Sequence, residues 1–244
     1  MKISIICPTR KRKKDMARLL KSIVDTADTL DNVEIIFVID DDDLESIAFV
    51  DQISAKLSFD AKRVVVERNK YIFSDLANQA LSSCSGELYL AIGDDGVFRT
   101  TGWDTEIIEE FTKVDDKILL LHFNDLSRHC MRLAGHLVVH QNWIDTVGYF
   151  SPPWFDGDWG DWWMTHLADG VSRRKYRGDI IIEHLNIQFG KAEPDETFYE
   201  HKERRQAFAS PDKNPDHPFN TKVETKKENI SNLLSFIDKH KSIH

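Results

Sequence analysis

The chain has 244 residues, 41% of them hydrophobic and 30% charged. That length fits one large domain with a substantial core, and the composition excludes a disordered, collagen-like or coiled-coil chain. Acidic residues outnumber basic ones, 41 to 32, for a net charge of −9, which argues against binding nucleic acid with the whole surface.

The apolar runs are short: residues 33–39 and 118–121 are typical, against the roughly 18 to 20 residues needed to cross a bilayer. No signal peptide is read, because Lys2 is followed by only five residues before Pro8 and a basic cluster at residues 10–14. The three cysteines, Cys7, Cys84 and Cys130, are odd in number and widely spaced. They imply neither a disulfide framework nor a zinc site, and the expected location is a reducing cytoplasm.

In chain order, residues 3–7 read as a short buried strand broken by Pro8 and Thr9. A helix is predicted next from Met16, Leu19, Leu20, Ile23, Val24 and Ala27, spaced by three and four. Residues 33–39 read as a buried strand ending in four aspartates, 40–43, which offer an N-cap to a second helix running to Leu57. Residues 63–67 form a third predicted strand. A third helix carries Phe73, Leu76, Ala77, Ala80 and Leu81 on one face, with Ser74 as N-cap and Gly86 as its stop. Residues 87–92 form a fourth strand ending in Gly93-Asp94-Asp95-Gly96.

Beyond residue 115 the pattern loosens. Residues 118–123, 137–140 and 180–183 read as strands, 143–147 as a short helix and 148–163 as a loop rich in glycine, proline and aromatics. From Pro194 the chain is polar and ends in an amphipathic helix carrying Ile230, Leu233, Leu234 and Ile237. Strands alternating with amphipathic helices point to a parallel sheet of βαβ units, in which ligands bind at the carboxyl ends of the strands.

The chemistry follows from what stands at those ends. There is no G-x-G-x-x-G or G-K-[ST], no G-x-S-x-G and no H-E-x-x-H, which counts against a dinucleotide site, a P-loop, a serine hydrolase and a zincin. Instead, two strands end in aspartates. Asp94 and Asp95 would repel each other unless a cation or hydrogen bonds neutralise them. A hard ion such as Mg2+ or Mn2+ takes carboxylate and phosphate oxygens together. The plain alternative for Gly-Asp-Asp-Gly is a solvated turn. Asp42 or Asp43 is accounted for by N-capping, leaving Asp40 and Asp41 to meet a nucleobase or ribose.

Cys7-Pro8-Thr9-Arg10, Val38-Ile39-Asp40-Asp41 and Ile92-Gly93-Asp94-Asp95, each after a strand, resemble the nucleotide-sugar half of GT-A glycosyltransferases, closest to the family 2 type. Gly102-Trp103-Asp104, Val147-Gly148-Tyr149-Phe150 and Glu183-His184 extend the resemblance over roughly residues 3–190. It implies an α/β fold of GT-A (Rossmann-like) type: a mixed, mainly parallel sheet flanked by helices, with a C-terminal helical extension. Residues 1–115 would form the nucleotide-sugar-binding half, 116–192 the acceptor-binding and catalytic half, and 193–244 a polar extension with a terminal helix.

The resemblance also implies roles. Pro8, Thr9 and Arg10 would line the nucleotide pocket, Asp40 or Asp41 would contact the base, and Arg68 and Asn69 would lie near the nucleotide. Asp94 would reach the ribose or the metal. Asp95, with His184, would ligate Mn2+ or Mg2+. Gly93 stands where the usual aspartate-x-aspartate has its first acid. An inverting transfer needs a general base for the acceptor hydroxyl. The candidates are Asp156, Asp158 and Asp161, with Asp161 matching best and Asp158 next. Their aromatic neighbours would stack on a sugar or simply pack the core. Arg173, Arg174, Lys175 and Arg177 would close over the diphosphate, touch an anionic acceptor or form a solvated loop, and the solvated reading applies equally to Lys202, Arg204 and Arg205. His122, His129, His136 and His140 read as core or surface.

The implied partners are a nucleoside-diphosphate sugar, a UDP-sugar foremost, and an acceptor with a free hydroxyl: a saccharide, a lipid-linked molecule, a protein or a hydroxymethylated DNA base. A nucleotidyltransferase and a non-catalytic sugar-nucleotide-binding module are the competing functions.

Overall fold

The computed structural model describes residues 1–155, 158–187, 190–200 and 210–241. One eight-stranded mixed sheet organises the chain in the order β3-β2-β1-β4-β7-β6-β8-β5. Its strands are β1 (Ile3–Thr9), β2 (Val33–Asp40), β3 (Asp60–Val66), β4 (Leu88–Ala91), β5 (Gly96–Phe98), β6 (Leu120–Asn124), β7 (Leu137–His140) and β8 (Arg174–His184). The first four are mutually parallel. β7 runs against β4 and β6, β6 and β8 are parallel, and the outer half of β8 pairs with β5 in the opposite sense.

The chain winds outward from β1 to β2 and β3, then returns to place β4 on the other side of β1. That reversal is a topological switch point, where the loops leaving adjacent strands diverge and open a crevice. β2 is buried along its whole length, as a central parallel strand covered on both faces must be. Alternate residues of β1 and β2 feed the two cores. Ile3, Ile5, Ile35, Phe37 and Ile39 pack under α1 (Lys13–Thr26), α2 (Leu44–Ser54) and α4 (Trp103–Thr112), while Ile6, Ile36 and Val38 face the opposite layer. α1 buries Met16, Leu19, Leu20 and Ile23 as its periodicity predicts, with Val24 at the solvent margin.

Several elements differ from the sequence reading. The third helix is a single turn, α3 (Phe73–Leu76), continued by a 3-10 stretch at Ala77–Ser83. Ser74 does not cap it: its N–H donates to the Phe155 carbonyl (3.2 Å) and its hydroxyl accepts the Phe155 N–H (3.1 Å). Gly86 is a packing glycine, not a helix stop, because a Cβ there would stand 2.5 Å from the Lys2 carbonyl oxygen. β3 begins at Asp60 because edge pairing to β2 extends it backward. β5 and α4 were not read from the sequence. β5 has only three residues and exists through its pairing with β8. α4 starts at Gly102, whose φ of +77° is left-handed, and Asp104 accepts the backbone N–H groups of Asp28 (2.8 Å) and Thr29 (2.9 Å).

The predicted loop 148–163 ends in α6 (Gly160–Gly170), which follows α5 (Gln141–Val147). A proline-started turn, α7 (Pro218–Thr221), leads into α8 (Val223–Lys241). α8 buries Leu233 and Ile237 in the second core, and its Asn229 accepts the Tyr149 hydroxyl (2.6 Å), which in turn accepts the Trp163 indole N–H (2.9 Å). The terminal helix therefore packs across the domain. No described helix is long and apolar enough to cross a membrane, and all three cysteines are free thiols.

Candidate active site

β2 and β4 flank β1, so at normal strand spacing their ends stand about 10 Å apart across the end of β1. The residues leaving β1 reach both ways. On one side the Thr9 hydroxyl donates to Asp94 (2.6 Å) and the Arg12 guanidinium donates to the other Asp94 oxygen (3.2 Å). On the other side Arg10 donates to Asp40 (3.3 Å) and grips Asp42 with both terminal nitrogens. The two acidic tips thus border one cleft, with Thr9, Arg10 and Arg12 as its floor.

At the β2 tip, Asp40 is buried and also accepts a hydrogen bond from Arg68 (3.1 Å). Its pKa lies above the ordinary value because burial outweighs the two guanidinium groups. Asp41 is exposed and clamps the loop: its N–H donates to the Val66 carbonyl and its carboxylate accepts the Arg68 N–H (3.0 Å). Of the pair, Asp40 faces the cleft. Asp43 caps α2 through the Ser46 N–H (3.2 Å) and accepts the Lys11 N–H (2.6 Å). Asn69 is exposed in a left-handed turn, φ 60°, while Arg68 carries the contact with Asp40.

At the β4 tip the two carboxyls differ. Asp94 is 3% exposed. Burial, with the neighbouring Asp95 charge, pushes its pKa up to about 7 despite Arg12 and Thr9. Asp95 is also withdrawn from water, but His184, 3.2 Å away, outweighs the burial and holds it below the usual range. His184 is raised in turn, its partnership with Asp95 exceeding the cost of burial. The pair is assembled by the β5–β8 register, which sets Gly96 opposite His184, and by the Leu185 N–H donating to the Asp95 carbonyl (2.9 Å). The buried His136 ring lies tilted against His184, centroids 5.0 Å apart, and burial keeps it neutral with a pKa of about 4.

Asp161 opens α6 just after Trp159, whose φ is +88°. Its carboxylate accepts the Trp162 N–H (2.8 Å). Burial raises its pKa to about 6, Asp158 adds to the rise, and the His184 charge opposes it, so the carboxyl lies within electrostatic reach of the Asp95–His184 pair. Asp158 is exposed, and Asp156 lies outside the described residues. Among the tryptophans, Trp103, Trp143 and Trp163 are fully buried core.

The basic run at 173–177 is neither a cleft lid nor a loop. It lies on and just before β8, with Arg173 on Asp116, Arg174 on Asp169, Lys175 on Glu110 and Arg177 on Glu106, Glu110 and Asp179. These pairs tie β8 to α4, α6 and the connection before β6. Lys202, Arg204 and Arg205 lie outside the described residues. The sequence reading missed Arg12 as a partner of Asp94, and it missed Asp195 and Glu200. Asp195 holds Arg12 with both oxygens, and Glu200 accepts from Arg10 (3.1 Å) and Arg68 (2.8 Å). Nothing in local spacing marks such contacts, which join residues 82 to 190 positions apart.

Asp95 and His184 supply one hard oxygen and one nitrogen donor on the cleft wall. Among the described residues no group of three histidines, cysteines or carboxylates is arranged to hold a metal. The donor set therefore fits a cation such as Mn2+ or Mg2+ that takes its remaining ligands from a diphosphate and water.

A parallel β3-β2-β1-β4 half with acidic tips, joined to a mixed half that returns a histidine to the second tip, is the GT-A glycosyltransferase architecture. The chain belongs to glycosyl transferase family 2, whose sequence model matches residues 4–125, half of the chain. Solved structures agree on the fold. S. aureus TarS 1–349 in complex with UDP superposes with a TM-score of 0.60 at 15% identity, covering 100% of this chain and 92% of that one. A mannosyltransferase from Pyrobaculum calidifontis in complex with GDP-Man and Mn2+ gives 0.62 at 14%, covering 99% and 74%. A longer S. aureus TarS structure gives 0.57 at 16%, covering 87% of this chain, which spans only 45% of that protein. No curated protein sequence matches the chain. The protein is thus a glycosyltransferase by family.

Proposed function

We propose that the protein moves a sugar from a nucleoside-diphosphate sugar to an acceptor hydroxyl with inversion at the anomeric carbon. The convergence of Asp40 and Asp94–Asp95 on one cleft floored by Thr9, Arg10 and Arg12 carries this reading. In this reading residues 1–115 are the donor half, 116–192 the acceptor half and 193–244 an extension, whose described residues touch the donor half through Asp195 and Glu200 and the acceptor half through Asn229.

In this account the base and ribose lie against Asp40, Arg68 and Pro8, and the diphosphate lies toward Asp95. Asp95 and His184 would hold Mn2+ or Mg2+, which would supply charge neutralisation for the departing diphosphate. Arg12 fixes Asp94 and lends positive charge to the same end of the cleft. Asp161 accepts the acceptor O–H proton as that oxygen bonds to the anomeric carbon. The bond from the anomeric carbon to the phosphate oxygen breaks, and its electrons stay on the nucleoside diphosphate. A pKa near 6 leaves Asp161 ionised at neutral pH yet basic enough to take the proton. The UDP and GDP-Man complexes of TarS and the mannosyltransferase support a donor of this class, with a UDP-sugar favoured.

The test is nucleoside-diphosphate release from a panel of UDP- and GDP-sugars with Mn2+. Asp161→Asn should keep nucleotide affinity and lose about 10³-fold in turnover, and wild-type turnover should rise with pH through about 6. Unchanged turnover in Asp161→Asn rejects it as the base.

A further inference from the structure

The guanidinium groups of the donor cleft are already occupied by carboxylates of the chain itself. Asp195 caps a helical turn over residues 196–200 by accepting the Phe198 N–H (2.8 Å). The same carboxylate takes Arg12 in a two-pronged pair, 2.7 and 2.9 Å, while Arg12 also holds Asp94. Glu196 pairs with Lys11 (3.0 Å). Thr197, 4% exposed, donates its hydroxyl to the Arg10 carbonyl (3.0 Å). Glu200 bridges Arg10 and Arg68, the two cations on Asp40. The segment therefore starts at the Asp94 tip and ends at the Asp40 tip, following the line along which a nucleoside diphosphate would lie.

We infer that residues 195–200 form an autoinhibitory strap: Asp195 competes with the donor's diphosphate for Arg12, while Glu200 occupies Arg10 and Arg68 where the base and ribose would lie. This rests on the donor reading above. A carboxylate forks onto a guanidinium with the same geometry that a phosphate uses, and the two cannot share the same N–H groups. Donor binding must displace Asp195 and Glu200, because a diphosphate entering beside them would add its charge to Asp40, Asp42, Asp94 and Asp95. The pairs are partly solvated, so each contributes modestly and the strap can be displaced by the anion it imitates. The cleft keeps its cations neutralised until a polyanion arrives with a counter-cation.

The experiment uses the full chain and the triple variant Asp195→Asn, Glu196→Gln, Glu200→Gln. Asn retains the helix cap at 195. Affinities are measured for inorganic pyrophosphate, UDP and GDP, each with Mn2+. The strap predicts that the triple variant binds pyrophosphate about tenfold more tightly than wild type, and that saturating pyrophosphate speeds amide exchange across residues 195–200 of wild type. Equal or weaker binding by the variant overturns the strap, as does undiminished protection of 195–200 in the wild-type complex. The donor reading fails separately: tighter pyrophosphate binding with no affinity for either nucleotide in both proteins keeps the strap and removes the nucleotide site.

Discussion

Glu34 and Asp94 are both buried carboxylates of the central parallel sheet, one near the amino end of β2 and one in the turn after β4, and the protein treats them oppositely. Glu34 accepts hydrogen bonds from the Ser4 hydroxyl (2.6 Å), Lys62 (2.7 Å), the Ser85 hydroxyl (2.8 Å) and the Ser85 and Gly86 N–H groups. Burial alone would raise its pKa, but these donors bring it down to about 2. Asp94 has two partners, Thr9 and Arg12, and its pKa is pushed up to about 7. One end spends its charge on closing the sheet. The other leaves carboxylates under-compensated, which is the state in which an incoming cation and its bound anion gain most.

The comparison breaks most visibly at Glu34. Glu34→Ala should cost about 3 kcal/mol of folding stability, since it removes the acceptor of Lys62 and of four further donors, the buried Ser4 hydroxyl among them, and should leave nucleotide affinity unchanged; urea unfolding alongside nucleotide titration reads both. The sign with pH follows from the lowered pKa. The contribution of Glu34 is fully present above about pH 4.5 and fades as pH falls toward 2, so the gap between the two proteins narrows in acid.

Asp94→Asn should act in the opposite direction. Its raised pKa means that the ionised carboxyl costs stability above about pH 7, and that this cost is relieved as pH falls toward the unfolded value near 3.8. The variant should gain about 1 kcal/mol at pH 8, gain nothing at pH 4, and bind nucleotide with Mn2+ more weakly. Loss of stability at pH 8 would place Asp94 with Glu34 as a structural group.

The smallest effect belongs to the basic run on β8. Lys175→Ala removes a half-exposed partner of Glu110, which keeps Lys113 and Arg177. It should cost about 0.5 kcal/mol and leave the KM for the donor unchanged. A raised KM would return residues 173–177 to the cleft.

Much of the cleft was legible in the sequence because strand ends are. Residues 33–39 could only be a buried strand, and the aspartates after it, like Asp94 and Asp95 after residues 87–92, had to stand at the carboxyl edge of a parallel sheet. The choice of Asp40 over Asp41 needed the loop geometry, since only the structure shows Asp41 clamping the Arg68 N–H. β5 and the length of β8 depend on pairing between segments some 85 residues apart. The basic run at 173–177 misled because charge patterning does not reveal that Glu106, Glu110, Asp116 and Asp169 stand opposite. The strap was invisible for the same reason: acids at 195, 196 and 200 mean little until Arg10, Arg12 and Arg68 are seen to face them.

The central claim is that the β2 and β4 tips form the two walls of one donor cleft. It is tested most directly by crystals of the protein grown with UDP and Mn2+, with data collected at the manganese edge. The account predicts one anomalous peak bonded to Asp95 and His184, with the uracil at Asp40 and residues 195–200 displaced from Arg10 and Arg12. Manganese bound away from Asp95, or a nucleotide seated anywhere other than between Asp40 and Asp94, would contradict it.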